Sequence, residues 1–305
     1  MTTTENNLIH VAGNSVLDLR VRDVSLGDRQ EVGAWDRGSV LFLDHPIEPT
    51  LGGTAATAYL LGRLGERVSL NTQVGDDAFG AILKGWLADA AVQRVVLPAK
   101  STAANILLVA PDGTPRWHYY TGQKVEWRRS LAVTNAAWFY ASGYGQATEA
   151  DLAEMCTVFK ALRSRGTRVA FDPGPWLFLH APRERMEETW AHVNCLIGTE
   201  SELSTWHKDE SVMALVGRLL TLGPQQVVVK RGAEGAAFGE AGAGAQSLST
   251  ERVDDANAVG AGDTFNAALL HSLNRGASLD EAVEKALQLA TAAVRRGKGV
   301  LGALE

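Results

Sequence analysis

Apolar and polar positions alternate along most of the chain in two rhythms, short runs of period two and longer stretches of period 3.6. The regular part begins at residue 136. Strands are predicted at 136–141, 168–171, 193–197 and 226–230, interleaved with helices at 149–165, 183–192, 200–206 and 212–222. Such alternation implies a mostly parallel sheet covered by helices on both faces. Upstream, strands are predicted at 8–12 and 68–74. A small-residue helix opens at Gly52-Gly53 and is closed by Gly65, and a second helix spans 78–90. Two stretches break the rhythm. Alternating pieces at 19–22 and 39–43 sit among Gly, Asp and Pro, and strands are predicted at 92–97, 105–110 and 116–120, the last two joined by an Asp112-Gly113 hairpin turn. After the 226–230 strand, residues 239–244 read as an exposed glycine–alanine loop. The final helix, 279–296, places Leu279, Ala282, Val283, Ala286, Ala290 and Ala293 on one face. No internal repeat or linker interrupts the pattern. It predicts one α/β domain over 1–305, with a β-rich lid built from insertions at about 19–50 and 98–122.

One stretch carries chemistry in its pattern. In Ala-Asn-Ala-Val-Gly-Ala-Gly-Asp-Thr-Phe-Asn-Ala-Ala-Leu-Leu (256–270), Gly260 and Gly262 flank one small residue and Asp263 follows. Phe265, Ala268, Leu269 and Leu273 then fall on one helical face. A glycine turn therefore opens a helix with a carboxylate at its first position. Backbone N–H groups there lack intrahelical partners and sit at the positive end of the dipole, which makes an anion cradle suited to phosphate. A carboxylate beside it is a candidate base for a group attacking that phosphate. An ordinary first-turn helix carboxylate is the plainer reading of the same residue.

Composition narrows the class. The 305 residues are 46% hydrophobic and 21% charged, with a formal net charge of −6. That balance is ordinary for a globular protein and speaks against a general nucleic-acid binder. No apolar run approaches the ~18 residues of a membrane span, and residues 1–7 lack the basic and apolar regions of a signal peptide. Cys156 and Cys195 match no metal spacing, and buried free thiols in a cytoplasmic protein are expected. No His/Asp/Glu cluster has the spacing of a metal-dependent hydrolase.

Other residues admit two readings. Asp18 is placed just beyond a strand end, where open α/β sheets bind ligands, or is a turn aspartate. His118 reaches a substrate or faces solvent. Lys230 and Arg231 contact phosphate or are solvated charges at a strand end. Asp172 binds a ligand or caps a strand–loop junction. Trp117, Trp127 and Trp176 pack structurally or stack on a ring.

Four ordered motifs resemble the PfkB, or ribokinase-like, sugar kinases over residues 8 to 300. Gly260-Ala261-Gly262-Asp263-Thr264-Phe265 is similar to that family's second signature. Gly52-Gly53 with the helix to Gly65, followed by Val74-Gly75-Asp76-Asp77-Ala78-Phe79-Gly80, resembles the first. Glu202 matches the glutamate of the Asn-x-x-Glu magnesium motif, and the run from Val229 to Gly235 resembles the nucleotide-side strand and turn. The resemblance implies a doubly wound α/β fold with a small β lid, and transfer of the ATP γ-phosphoryl to a hydroxyl, usually a primary alcohol of a sugar. It implies Asp263 as base and Gly260, Ala261 and Gly262 as anion hole, with the N–H groups of Ala261, Gly262 and Asp263 on the phosphoryl. Asp18, Gly52, Gly53, Thr57 and Asn105 would bind the acceptor. Thr199, Lys230, Gly232, Gly235 and Asn257 would face the nucleotide, and Glu202 the Mg²⁺. The partners implied are a sugar-like small molecule and ATP, with neither nucleic acid nor membrane, and a homodimer through the lid as in similar proteins.

Four positions depart from the family pattern. Asn257 replaces an aspartate, which puts a monovalent-cation site in question. Thr199 replaces the asparagine of the magnesium motif, and Thr57 an asparagine of the Gly-Gly helix. Asp172-Pro173-Gly174-Pro175-Trp176 lacks the Asn and Arg of fructokinase-like and ketodeoxygluconate-kinase-like members. Nucleoside kinases share the implied fold, and Trp117, Tyr119 and Tyr120 keep that acceptor class open. A non-catalytic sugar or nucleotide sensor is the third reading.

Overall fold

The computed structural model describes residues 7–24, 43–111, 114–253 and 258–305, with side chains except at 94–96. In chain order the strands are β1 (Leu8–Ala12), β2 (Ser15–Val21), β3 (Glu48–Gly53), β4 (Arg67–Gly75), β5 (Gln93–Ala99), β6 (Ala103–Val109), β7 (Pro115–Tyr120), β8 (Ala136–Ser142), β9 (Arg168–Asp172), β10 (Cys195–Thr199), β11 (Gln226–Lys230), β12 (Ala236–Glu240) and β13 (Gln246–Leu248). The α-helices are α1 (Thr54–Arg63), α2 (Ala78–Asp89), α3 (Glu149–Arg163), α4 (Gly174–His180), α5 (Arg183–Trp190), α6 (Glu200–Leu203), α7 (Val212–Thr221), α8 (Ala261–Asn274) and α9 (Leu279–Arg296).

The large sheet has the order β13-β12-β11-β10-β9-β8-β1-β4-β5, and β3-β2-β6-β7 form a separate small sheet. Pairing in the large sheet is parallel from β5 to β11 and antiparallel only at the β12 and β13 edge. From β1 the chain moves outward through β4 to β5, returns to β8, and moves outward the other way. The winding therefore reverses between β1 and β8, and the crevice beyond the carboxyl ends of those strands is where such sheets take ligands.

Strand alternation divides the core. Ile9, Val11, Tyr140, Ile197 and Val228 pack under α1, α2, α8 and α9. Ala12, Phe139, Phe171, Leu196 and Val227 pack against the helices of the opposite face, including α3, α5 and α7. Successive strand side chains point to opposite faces, so a sheet covered on both sides must be apolar at nearly every position. The α9 stripe is buried as the periodicity predicts at Leu279, Ala282, Val283, Ala286 and Ala293, with Ala290 partly buried.

Helix α8 is fastened at its far end. The Glu66 carboxylate, in the turn after α1, bonds His271 Nδ1 at 2.7 Å, Asn274 Nδ2 at 2.8 Å and Arg275 Nε at 2.8 Å. Hydrogen bonds to a charged group contribute more than neutral ones, so Glu66→Ala is expected to lower the unfolding free energy by about 2–3 kcal/mol. Urea denaturation with an unchanged slope would read this directly, and an unchanged midpoint would contradict it.

Several elements differ from the sequence reading. The 39–42 strand lies outside the described residues, and Leu43 is not in a strand. Gly52 and Gly53 close β3 rather than belonging to the helix, and Gly53 caps α1 with φ 59°. The 93–99 strand joins the large sheet, not the β-rich insertion. The β6–β7 hairpin is present, with Ala110 N–H donating to Thr114 O at 3.0 Å, while Asp112-Gly113 is outside the described residues. Part of the predicted glycine–alanine loop is strand, because β12 pairs with both β11 and β13. Helix α4 occupies the stretch after Asp172-Pro173, where Pro and Gly had signalled only a loop.

Candidate active site

A cleft of about 1740 Å³ opens at the carboxyl ends of the central strands. Asp18, Asn105, Trp117 and Tyr119 of the small sheet line it, as do Asp172 and Lys230 of the large one and Gly260, Gly262, Asp263 and Asn266 at the start of α8. The strand ends put them there: β9 finishes at Asp172 and β11 at Lys230.

Gly260 makes the turn into α8 with φ 82°, a region L side chains rarely adopt, and an added Cβ would stand 2.7 Å from Val300 Cγ2. Its carbonyl accepts from Thr264 N at 2.9 Å and Thr264 Oγ1 at 2.8 Å. The Ala261 N–H is already engaged with Ala258 O at 3.1 Å, which corrects the expectation that it would serve an anion. The N–H groups of Gly262 and Asp263 have no acceptor among the described residues, and a Cβ on Gly262 would meet only open space. The cradle is therefore two N–H groups wide.

Asp263 is the third residue of α8, not the first. Burial pushes its carboxyl up to about 7; Lys230 opposes the shift, and Asp18 and Asp172 add to it. Thr57 Oγ1 donates to Asp263 Oδ1 at 3.3 Å. Thr57 is fully buried and does not line the cleft. The structure thus places it beneath the carboxylate instead of against an acceptor.

Asp18 lies in the middle of β2, opposite Thr50 and Asn105, and not beyond a strand end as its sequence context suggested. Asn105 Nδ2 donates to its Oδ1 at 2.9 Å. Burial raises the Asp18 carboxyl to about 6 against that hydrogen bond. Gly52 explains itself here: a Cβ would stand 2.2 Å from Asp18 Oδ2. Gly52→Ala is expected to displace this carboxylate and to lower the thermal midpoint of the protein; an unchanged midpoint with the Asp18–Asn105 hydrogen bond intact would contradict it.

Lys230 Nζ donates to Asp172 Oδ2 at 2.8 Å and to Asn266 Oδ1 at 3.2 Å. Burial alone would lower its pKa; the charge and hydrogen bond of fully buried Asp172 overcome this and raise it. Arg231 pairs instead with Glu200 and Glu234 on the surface. Glu202 is raised by burial, with Asp172 adding to the effect and Lys230 opposing it. It also closes a capping box, accepting from Thr199 N at 2.8 Å while Thr199 Oγ1 accepts from Glu202 N at 3.3 Å.

Of the remaining sequence candidates, Gly53 lines the cleft, whereas Gly52, Ala261, Thr199, Glu202, Gly232 and Gly235 are not among its lining residues. Gly232 and Gly235, with φ 57° and 93°, shape the turn that presents Ala233 to the cleft. Asn257 lies outside the described residues. Trp127 is buried and bonds Asp151 at 3.3 Å, as packing predicts, but Trp117 and Trp176 line the cleft. His118 alternates with Trp117 and Tyr119 and is exposed on the face away from it. Sequence reasoning missed Asn14, whose Nδ2 donates to Tyr119 Oη at 3.0 Å and Thr121 O at 3.1 Å. It also missed Asn266 and Tyr140. The only signal for Asn266 was its place one turn after Asp263.

The three carboxylates facing Lys230, those of Asp172, Glu202 and Asp263, would repel a bare polyphosphate. No cluster of three or more metal-ligating side chains occurs among the described residues, but Mg²⁺ needs few, since it keeps several waters and binds one or two carboxylates plus phosphates. The raised pKa of Glu202 marks a carboxylate whose charge is under-compensated, and a cation would relieve it.

An anion cradle, an adjacent carboxylate poised near neutrality and a second, hydrogen-bonded carboxylate across the cleft together define a phosphotransferase acting on a small hydroxylated molecule. Residues 24–303 match the model of the pfkB family carbohydrate kinases, and the chain belongs to that family. It is 28% identical to the 2-dehydro-3-deoxygluconokinase of Bacillus subtilis strain 168, covering 77% of each chain. It is 27% identical to the fructokinase of Rhizobium leguminosarum bv. trifolii, covering 90% of this chain and 84% of that one. Its fold matches the Arabidopsis thaliana ribokinase solved with ribose and ATP at a TM-score of 0.76 and 21% identity, over 96% of this chain and 94% of the other. The enzyme is a carbohydrate kinase, and kinases of this family use ATP with Mg²⁺.

Proposed function

We propose that this chain moves the γ-phosphoryl of MgATP to a primary hydroxyl of a sugar or sugar derivative held between Asp18 and Asp263. The observation that carries the reading is the placement of Asp263 at the Gly260 turn, with its carboxyl at about 7. An alcohol must lose its proton as it attacks phosphorus, and a base with a pKa near the working pH takes it most effectively. Asp18 and Asn105 orient the acceptor, and holding it in line supplies much of the rate. The Gly262 and Asp263 N–H groups and Lys230 stabilise charge on the transferring phosphoryl. Glu202 would help hold Mg²⁺, which would supply neutralisation of the phosphates' charge. The small sheet acts as a lid that excludes competing water.

The aromatic residues Trp117, Tyr119 and Trp176 on the same cleft favour a second reading, a nucleoside acceptor. One assay decides: ATP consumption with Mg²⁺ over a panel of sugars, sugar acids and nucleosides, with Asp263→Asn as control. Turnover of a sugar lost in the variant supports the proposal, activity confined to nucleosides supports the second reading, and no turnover at all refutes both. A cytoplasmic location, in keeping with two buried free cysteines, and a homodimer through the outer face of the small sheet, where Ile106 and Tyr120 are exposed, complete the proposal. Light scattering would test the dimer.

A further inference from the structure

The acceptor side of the cleft carries two arginines that the phosphoryl chemistry does not use. Arg20 follows Asp18 by two residues on β2, so both side chains leave the same face of the small sheet, about 6–7 Å apart along the strand. Arg22 comes just past the strand end, and Asp18, Arg20 and Arg22 all line the cleft.

Arg20 is only 6% exposed, and an arginine so buried needs an anionic partner. Glu48, its neighbour across the β2–β3 ladder, supplies one. Glu48 Oε2 accepts from Arg20 Nε at 2.9 Å and from Arg20 Nη2, while Oε1 accepts from Arg22 Nη2 at 2.7 Å. Arg20 Nη2 also reaches Gly297 O at 3.5 Å. One carboxylate thus serves two guanidiniums, each with five N–H donors. Arg22 Nε is buried with no partner among the described residues. Arg20 Nη1 has none there either. Asp23, which also lines the cleft, is paired with His45 Nε2 at 2.9 Å.

A cross-strand ion pair serving the sheet alone would match one cation to one anion. Here two like charges converge on a single carboxylate and repel each other, and a buried donor is left without an acceptor. A second anion entering the cleft relieves both. Arginine suits that role, because its planar fork meets a carboxylate or a phosphate at two points. Leu107, opposite Arg20, and Trp117, opposite Leu107, line the same stretch of cleft. Such apolar neighbours lower the local dielectric and strengthen a charge-assisted bond.

We propose that Arg20 and Arg22 form an anion subsite of the acceptor pocket, so that the sugar phosphorylated by this chain carries a carboxylate or phosphate of its own, held beyond the hydroxyls that Asp18 takes. This rests on the kinase reading above and names the class of acceptor within it. The strand face assigns the anion to the acceptor and not to ATP. The arginines stand in line with Asp18, whereas Lys230 on β11 and the Gly262 and Asp263 N–H groups on α8 mark the phosphoryl side. A neutral nucleoside would leave the spare donors unmet, which sets this acceptor class apart from the second reading above.

Calorimetric titration of the whole chain without nucleotide tests this with matched acceptors over a set of stereoisomers. One series compares aldohexonates with their aldohexoses, and the other compares ketohexose 6-phosphates with their ketohexoses; every member keeps a free primary hydroxyl. In one series the anionic member should bind at least about tenfold more tightly than its neutral match, the scale expected of hydrogen bonds to a charged group. The series that shows the preference identifies carboxylate or phosphate. Arg22→Gln should bring the ratio of the two affinities to within about threefold of one, whereas loss of a merely structural arginine would weaken both members together. A ratio near one in every wild-type pair, or no binding by any anionic member, overturns the proposal. So does an undiminished ratio in folded Arg22→Gln, or a raised ATP KM in place of the lost preference, which would give the arginines to the nucleotide. If Arg22→Gln does not fold, Arg22→Lys replaces it: it keeps the charge without the Nε donor, and a ratio reduced less than about threefold counts against the subsite. If the wild type consumes ATP with no acceptor at all, the kinase reading fails while the affinity ratio still decides the anion subsite.

Discussion

Asp263→Asn is expected to lower kcat about a thousandfold while leaving the KM for ATP nearly unchanged. Asn keeps the size of the side chain and accepts from Thr57, so the Gly260 turn and the anion cradle survive. What disappears is the group proposed to take the hydroxyl proton, and general-base contributions are of order 10²–10⁴. In the wild type, kcat/KM should fall about tenfold per pH unit below about 7, where Asp263 protonates. The acceptor KM should rise separately below about 6 as Asp18 loses its charge. The same shift predicts a stability effect of opposite sign. A carboxyl whose native pKa is raised favours the folded state when protonated, and that contribution is lost as pH rises through about 7. Asp263→Asn should therefore melt at a higher temperature than wild type at pH 8, with the difference gone near pH 4. A variant that melts lower at pH 8 would show that Asp263 is not strained by burial, and one that retains activity would show that it is not the base.

The parts of this fold that were legible in the sequence are those set by local pattern. The β8-to-β11 alternation, the α9 stripe and the glycine turn at 260 each depend on residues within one or two turns of each other, and periodicity reads that range well. Helix α4 was hidden because Pro173, Gly174 and Pro175 signal a turn, although Pro is tolerated in a first helical turn where its missing N–H costs nothing. Asp18 was visible as a residue but not as a position. Only its register opposite Asn105, 87 residues away, shows that it faces the cleft from mid-strand. The pairs that set the electrostatics are equally remote, with 58 residues between Asp172 and Lys230 and 206 between Thr57 and Asp263. Parallel crossovers bring such residues to one sheet edge, and nothing in a short window of sequence encodes that meeting. Hence Lys230 read more readily as a solvated strand-end charge, and only its buried partner Asp172 shows otherwise.

That partner makes Lys230→Met the second large effect, because the substitution acts on stability and on chemistry for different reasons. Asp172 is fully buried and its Oδ2 accepts from Lys230 and Asn266. Removing the lysine strands a charge in the interior, and breaking one side of a buried pair costs roughly 3–5 kcal/mol. Urea unfolding reads this loss, and loss of the cation at the cleft floor is a separate consequence that turnover reads. Turnover should fall about a hundredfold or more, in keeping with removal of a preorganised charge beside a transferring phosphoryl. The double variant Lys230→Met with Asp172→Asn separates the two consequences. It exchanges the unpaired carboxylate for a neutral amide that still accepts from Asn266, so stability should return to within about 1–2 kcal/mol of wild type. Its kcat should stay as low as that of the single variant, because no cation has been restored. Recovery of kcat along with stability would mean that Lys230 serves only to neutralise Asp172, and that the Gly262 and Asp263 N–H groups with Mg²⁺ carry the phosphoryl charge alone.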